Sequence, residues 1–395
     1  MQRGFTTAAV LALATIVLSQ PAVAQRNSSD VTFFVGARLA SDTNLFRVED
    51  EIQIPANAGG SGLEDLYFVA NAGIDSDWVL TSKSRIRFDA EILESIYDEY
   101  TAVDNTSGNL LARYDFTGNA FEFYTGYLRV EELVSFENQL TPRIDFRVRQ
   151  RLFVGLRQRF GLNWSFGAEV AYTDIDFDLA RPVERNSASA DFTYESRQGN
   201  TFAIVADYEE RESQGANSLG FEEFKVGPEI NWDLTADLNL VLEVKYQERD
   251  PVDPLLVAFD GPTGEFDLEW QVSNGVKFSI EAFRRISSLG DQLSNFAIVD
   301  GGAFTGEWKA SEKLGFKLGV NFELRDFEDE PNVLPIPGLD VREDDLTYVL
   351  AGIEWRPRRS ILIDATVKIG DRSSNRALQD FDYENYSIGF RYEFL

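Results

Sequence analysis

The chain has 395 residues, with 37 Lys plus Arg against 66 Asp plus Glu, a formal charge of −29 at neutral pH. That balance repels phosphate backbones and excludes nucleic acid as a partner held by charge. With neither Cys nor His, the chain has no disulfide framework, thiolate or imidazole metal ligand, Cys nucleophile or imidazole base.

In chain order, the first 24 residues stand apart. Arg3 supplies a positive start, Ala8 to Leu18 is apolar, and Ala22-Val23-Ala24 offers a small-residue cleavage site, the pattern of a secretory signal peptide. Its apolar stretch falls short of the ~20 residues a helix needs to span a bilayer. The expected organisation is a signal peptide over residues 1–24 and one domain over 25–395. No Cys follows the cleavage site, so a lipidated anchor is excluded. Later apolar runs, such as Tyr67 to Ala70 and Tyr348 to Ile353, are too short for a transmembrane helix. The mature chain is expected in the periplasm, in the outer membrane or outside the cell.

After residue 24 the pattern has period two. Ile361, Ile363, Ala365, Val367 and Ile369 fall on one face, with Asp364, Thr366, Lys368 and Gly370 on the other, and such alternation predicts strands. Short turn signals recur at Leu80–Lys83, Thr117–Asn119, Gly161–Asn163, Gln198–Asn200, Thr235–Asp237, Ser273–Gly275, Ser311–Lys313 and Pro357–Arg359. Their centres lie 36, 44, 37, 37, 38, 38 and 46 residues apart. Between them run longer polar connections: Asp42 to Asp65, Asp250 to Gly264, Asp329 to Asp345 and Arg372 to Asp382. Eight tight turns alternating with nine long loops predict an all-β, antiparallel, up-and-down transmembrane barrel of about 18 strands, the layout of bacterial outer-membrane proteins. A propeller repeats at a similar period, but its blades bury both sheet faces, whereas here one face of nearly every strand is polar.

Trp78, Trp232, Trp270, Trp308 and Trp355 each lie three to five residues before a tight turn, and Trp164 directly follows one. All six are expected at one level as an aromatic belt at a lipid–water boundary, with Tyr114 and Tyr194 in the equivalent place where a Trp is lacking. An 18-strand barrel encloses an aqueous lumen, so its lining decides its use. From Arg143 to Arg159 one face carries Arg143, Arg147, Arg149, Arg151, Arg157 and Arg159, predicting a basic ladder in the lumen. It would either contact carboxylate or phosphate groups of a passing solute or neutralise acids on adjacent strands. Two acidic runs, Asp174-Asp176-Asp178 and Asp326-Glu328-Asp329-Glu330, lack the Gly-centred spacing of a calcium loop and are expected to be solvated surface. Neither a metal nor another cofactor is expected. No local motif marks Ser–Lys or paired-carboxylate catalysis, so the chain is not expected to be an enzyme.

The segment Ser41-Asp42-Thr43-Asn44-Leu45-Phe46-Arg47 closes the first strand. Through Asp42, Asn44, Phe46 and Arg47 it resembles the Asp-x-Asn-aliphatic-Phe-Arg signature of the exopolysaccharide-biosynthesis-associated outer-membrane barrels, EpsL-like proteins of the beta-barrel porin 2 type. Phe283-Arg284-Arg285, Gly306 to Ser311, Leu324-Arg325-Asp326-Phe327 and the aromatic last strand add to the resemblance. The chain departs from the pattern in having Ser41 where an aromatic often precedes the first Asp, and Leu395 after the terminal Phe394. The resemblance implies a bacterial outer-membrane channel beside a secreted-polysaccharide system, with membrane lipid, the polysaccharide and periplasmic export components as expected partners. A general diffusion or nutrient porin, and a non-conducting structural or adhesive barrel, are the alternatives.

Overall fold

Alternating segments become strands because Val, Ile, Phe, Tyr and Thr at every second position suit a pleated surface, whereas on a helix the same pattern would spread round every side. The structure is a computed structural model that describes residues 30–139, 141–213, 220–254, 256–287, 296–328 and 341–394. The signal peptide expected over residues 1–24 lies outside them.

The strands are β1 (Asp30–Asp42), β2 (Asp65–Thr81), β3 (Ser84–Tyr97), β4 (Asn105–Thr117), β5 (Phe121–Leu133) and β6 (Phe146–Phe160). Then come β7 (Trp164–Phe177), β8 (Val183–Glu195), β9 (Thr201–Ser213), β10 (Phe221–Thr235), β11 (Leu238–Pro251) and β12 (Phe259–Ser273). The last six are β13 (Val276–Ser287), β14 (Phe296–Lys309), β15 (Leu314–Glu328), β16 (Glu343–Arg358), β17 (Ile361–Ser374) and β18 (Phe381–Phe394). Each pairs antiparallel with its sequence neighbours, and β18 pairs with β1 from Phe33↔Phe394 to Asp42↔Asn385, closing one 18-stranded sheet. Closure leaves no edge, so every strand has a partner on both sides for its backbone N–H and C=O groups, as lipid demands. Among the described residues no helix is long and apolar enough to cross a membrane; the strands make the crossing.

All eight expected tight turns join strands. Two of them rest on Gly161 and Gly199, at φ 68° and 91°, where a side chain would be strained. Four of the hairpins shift register just before the turn, next to Trp78, Trp232, Trp270 and Trp355; such bulges add twist at a barrel rim. The loop expected over Asp250 to Gly264 is shorter than predicted. Phe259 to Gly264 pair rung by rung with Arg249 to Val244, because β11 extends far enough to hold them in the sheet. Similarly, residues 343–345 belong to β16 and 372–374 to β17, while 329–340 lie outside the described residues. Among the described residues, the stretch Glu131 to Arg143 ends β5 and continues with one 3-10 turn, Phe136–Asn138.

Gly227 marks the tightest strand approach. Pro228 has no N–H to give, the β10–β11 rungs pass from Val226↔Tyr246 to Glu229↔Glu243, and a Cβ on Gly227 would sit 1.9 Å from the Val244 carbonyl oxygen. Gly227→Val should therefore cost about 1–3 kcal/mol, read as a lower temperature for the heat-modifiable shift in gel mobility. Gly315→Val, at a glycine with nothing within 4 Å, should leave that temperature unchanged.

Candidate functional site

Strand parity sorts the side chains. On β6 the even residues Leu152, Val154 and Leu156 are 57%, 44% and 47% exposed on the outer wall, and the odd residues point into the lumen. The same division places Trp78, Trp164, Trp232, Trp270, Trp308 and Trp355 outward and exposed at the short-turn end. Tyr194 packs on Trp164 with ring centroids 4.9 Å apart, and Tyr114 shares a row of the sheet with Ile86 and Trp78.

Inside, the arginine strand meets acids from its neighbours. Arg147 pairs with Glu132, Arg151 with Glu169 at 2.6 Å, Arg157 with Asp191 at 2.9 Å, and Arg159 with Glu122. Arg149 differs: its Nε is buried with no hydrogen-bond partner, and its cross-strand neighbours are Val130 and Ile175. Arg143 is not part of the row. Strand pairing begins at Phe146↔Leu133, where β5 ends, so residues before it have no ladder to join. Asp145 instead turns to accept from the Leu179 and Ala180 amides at 2.9 and 3.0 Å.

The acidic runs also separate. Asp174 and Asp176 stand on the outward face of β7, Asp178 lies beyond its end, and Asp329 and Glu330 are outside the described residues. A carboxylate group legible only in three dimensions lies in the lumen. Glu265 and Asp267 on β12 and Glu281 on β13 hold carboxylate oxygens within 4.8 Å of one another, across rungs that sequence spacing does not reveal.

At the long-loop end, Asp42, Asn44, Phe46 and Arg47 come together as the anchor of the β1–β2 loop. Arg47 grips Asp42 with two hydrogen bonds of 2.7 and 2.8 Å and lies 3.7 Å from the Tyr383 ring centroid. The Asn44 side chain donates to the Val48 and Asp382 carbonyls at 2.7 and 3.0 Å and accepts from the Val48 amide at 3.1 Å. Phe46, fully buried, meets Tyr100 and Phe136 with ring centroids 4.8 Å away in each case. With Leu45, Val48, Ala58, Tyr97 and Val103 these rings form one apolar cluster, so the loops after β1, β3 and β5 share a core. Burial raises the Tyr100 phenol above its ordinary pKa.

The third of these loops then reaches across. Glu137 and Asn138 lie between β5 and β6, whereas Arg325 is on β15, nine strands round the ring from β6. Arg325 donates to the Asn138 side-chain oxygen at 2.9 Å and lies 3.8 Å from the Glu137 carboxylate. Arg372 on β17 donates to the Glu137 carbonyl at 2.9 Å. Both arginines are buried, 6% and 3% exposed. Sequence reading missed this span; the available signal was Phe136, an aromatic residue in the connection between β5 and β6.

The geometry is that of an outer-membrane barrel with a polar, charge-paired lumen. A family model described as "Putative beta-barrel porin 2" matches residues 190–394, more than half of the 395 residues, and the chain belongs to that family. It is an outer-membrane β-barrel of the porin type, located in the bacterial outer membrane. Among solved structures it is similar to OccAB3 of Acinetobacter baumannii, at 7% identity and TM-score 0.53 over 93% of this chain and 100% of that one. It is also similar to the outer membrane protein opdK of Pseudomonas aeruginosa, at 9% identity and TM-score 0.53 over 92% and 99%; at such identity the likeness is one of fold. No curated protein matches the chain.

Phe46→Ala should remove the centre of the loop cluster at about 3–5 kcal/mol. Limited proteolysis of intact cells should then cut within residues 43–64 many times faster, while the barrel keeps its heat-modifiable mobility.

Proposed function

We propose that the chain is a channel for small polar solutes, in which the loop cluster, not the strand number, sets the usable bore. A ring of this many strands leaves a wide aqueous interior, and the observation that carries the reading is the loop from β5 to β6 tied to the opposite wall by Arg325 and Arg372. The arginine row is then mainly a charge-balanced wall: four of its members are held by acids on β5, β7 and β8, so a solute passes a lining of fixed, paired dipoles. Outside, the exposed Trp row fits a lipid–water boundary at the short-turn end. Lipids brominated near the headgroup should quench most of the Trp emission, and lipids brominated at the chain ends should quench little of it.

Planar-bilayer recording tests the bore. Arg325→Ala with Arg372→Ala should release the crossing loop and raise single-channel conductance by roughly twofold, toward that of an unobstructed ring of this size. A folded double variant with unchanged conductance overturns the loop's role, and a wild-type barrel with no conductance favours a structural or adhesive one.

The resemblance at Asp42 to Arg47 supports a second reading, a conduit for a secreted polysaccharide. In this chain those residues cement loops, so the motif speaks to the mouth's architecture more than to its cargo. Deletion separates the two: loss of polymer secretion with small-solute uptake intact favours the conduit, and the reverse favours the solute channel.

A further inference from the structure

We propose that the lumen wall toward the long-loop end carries a carboxylate-binding site centred on Arg185 and Arg211, with Arg149 and Gln247 extending it on either side. The inference rests on the channel reading for its biological use, and on the following observations for its existence.

Arg185 on β8 and Arg211 on β9 are direct cross-strand partners and share the lumen face. Like charges so placed destabilise a sheet unless something neutralises them. Arg185 has Glu209 at 3.2 Å, but the Arg211 Nε is buried with no hydrogen-bond partner. Nearby acids are engaged elsewhere: Glu223 holds Arg249 at 2.7 Å and Lys225 at 2.9 Å, and Asp207 holds Lys245 at 2.9 Å.

The row continues along the sheet. Arg185 pairs across the strands with Thr173, which pairs with Arg151, and Arg149 is two residues further along β6. On the other side, Gln247 on β11 is 1% exposed, and its Nε2 donor has no partner. The buried, unmatched polar atoms on the arc from β6 to β11 are all donors, Arg149 Nε, Arg211 Nε and Gln247 Nε2, while Arg185 Nε is held only by its ion pair to Glu209. The unmatched acceptors, Asp77 Oδ1 and Asn321 Oδ1, lie on β2 and β15. Burying a donor without an acceptor is costly, and the arc repeats that cost at Arg149, Arg211 and Gln247.

An anion with several oxygens satisfies what the arc lacks. The planar guanidinium fork matches a carboxylate with two parallel hydrogen bonds. Arg149 and Gln247 each sit two strands from the central pair, roughly 10 Å along the wall, so a solute with a second acidic or hydroxyl group reaches a flanking donor as well. Further round, the Glu265, Asp267 and Glu281 carboxylates repel the same solute and confine it to the arc. Arg185 and Arg211 lie near the long-loop ends of their strands, so the site meets a solute arriving from outside.

The test uses the full barrel in detergent micelles with succinate as the probe. Succinate should raise the temperature of the heat-modifiable transition, and calorimetric titration should give saturable binding that inorganic phosphate competes for weakly. Arg211→Gln should weaken succinate binding about 10- to 100-fold, the loss expected for one charge-assisted hydrogen-bond pair. Because it removes an unneutralised charge, it should fold at least as stably as wild type without succinate. Arg211→Lys keeps the charge but not the fork, and should weaken binding by a smaller factor. Arg284→Gln, which removes the same charge from the outer wall where Arg284 pairs with Asp300 at 2.9 Å, should leave binding unchanged. Absence of succinate binding by wild type, or wild-type affinity in a folded Arg211→Gln or Arg211→Lys barrel, overturns the site. Equal weakening by Arg284→Gln also overturns it, since net charge alone would then account for binding. Conductance is recorded separately: a barrel that binds succinate without conducting retains the site and loses the channel reading.

Discussion

Backbone hydrogen bonding in a solvent that offers none is the constraint from which the rest of this structure follows. Lipid cannot satisfy an exposed N–H or C=O, so strands crossing it must close into a ring. Here the closing contact is β18 on β1, where the aromatic end of the chain meets the first strand. Once the ring is closed, parity decides everything else. Each odd or even position faces either lipid or lumen, and a one-residue slip would exchange the two. That is why the outer wall can be Leu, Val, Phe and Trp while the same strands carry most of the charge inside.

The lumen manages that charge by pairing. With 66 acids and 37 bases, acids are in surplus, and cations on β1, β3, β6, β8, β11, β13, β15 and β18 meet carboxylates of other strands. Most of these pairs are half-exposed, where each contributes about 0–1 kcal/mol. They fix side-chain positions more than they hold the barrel together. Arg249 with Glu223 differs, since both side chains are 5% exposed, and breaking a buried pair costs more than breaking an exposed one. Against this background of pairing, the unneutralised arginines on β6 and β9 stand out chemically.

At the mouth a second kind of interaction takes over. Three loops that could each have been solvated bury Phe46, Tyr100, Val103 and Phe136 against one another, which fixes their backbones by the same apolar burial that builds an ordinary protein core. Polar ties then orient the cluster: Asp65 accepts from the Glu99 and Tyr100 amides at 3.2 and 3.1 Å, and Arg325 and Arg372 hold the far end. The lumen wall thus receives an insert that is packed on one side and tied to the opposite wall on the other.

Much of this was legible in the sequence because strand chemistry is local. Period two, the eight turn signals and the spacing of Trp residues set the strand number and the two faces, and even the inward direction of Arg147 to Arg159 follows from counting from a turn. The motif at Asp42 to Arg47 could be recognised, but its work could not, since Phe46 acts through Tyr100 and Phe136 in loops far along the chain. Likewise Arg143 reads as one more rung, yet β5 stops too soon to pair it. The sequence by itself determined the strands, their faces and the closed barrel, because alternation and turns are written within a few residues. Tertiary structure alone decided which charges are neutralised, which carboxylates converge and which loop spans the lumen, because those depend on register across strands and on contacts half a ring away.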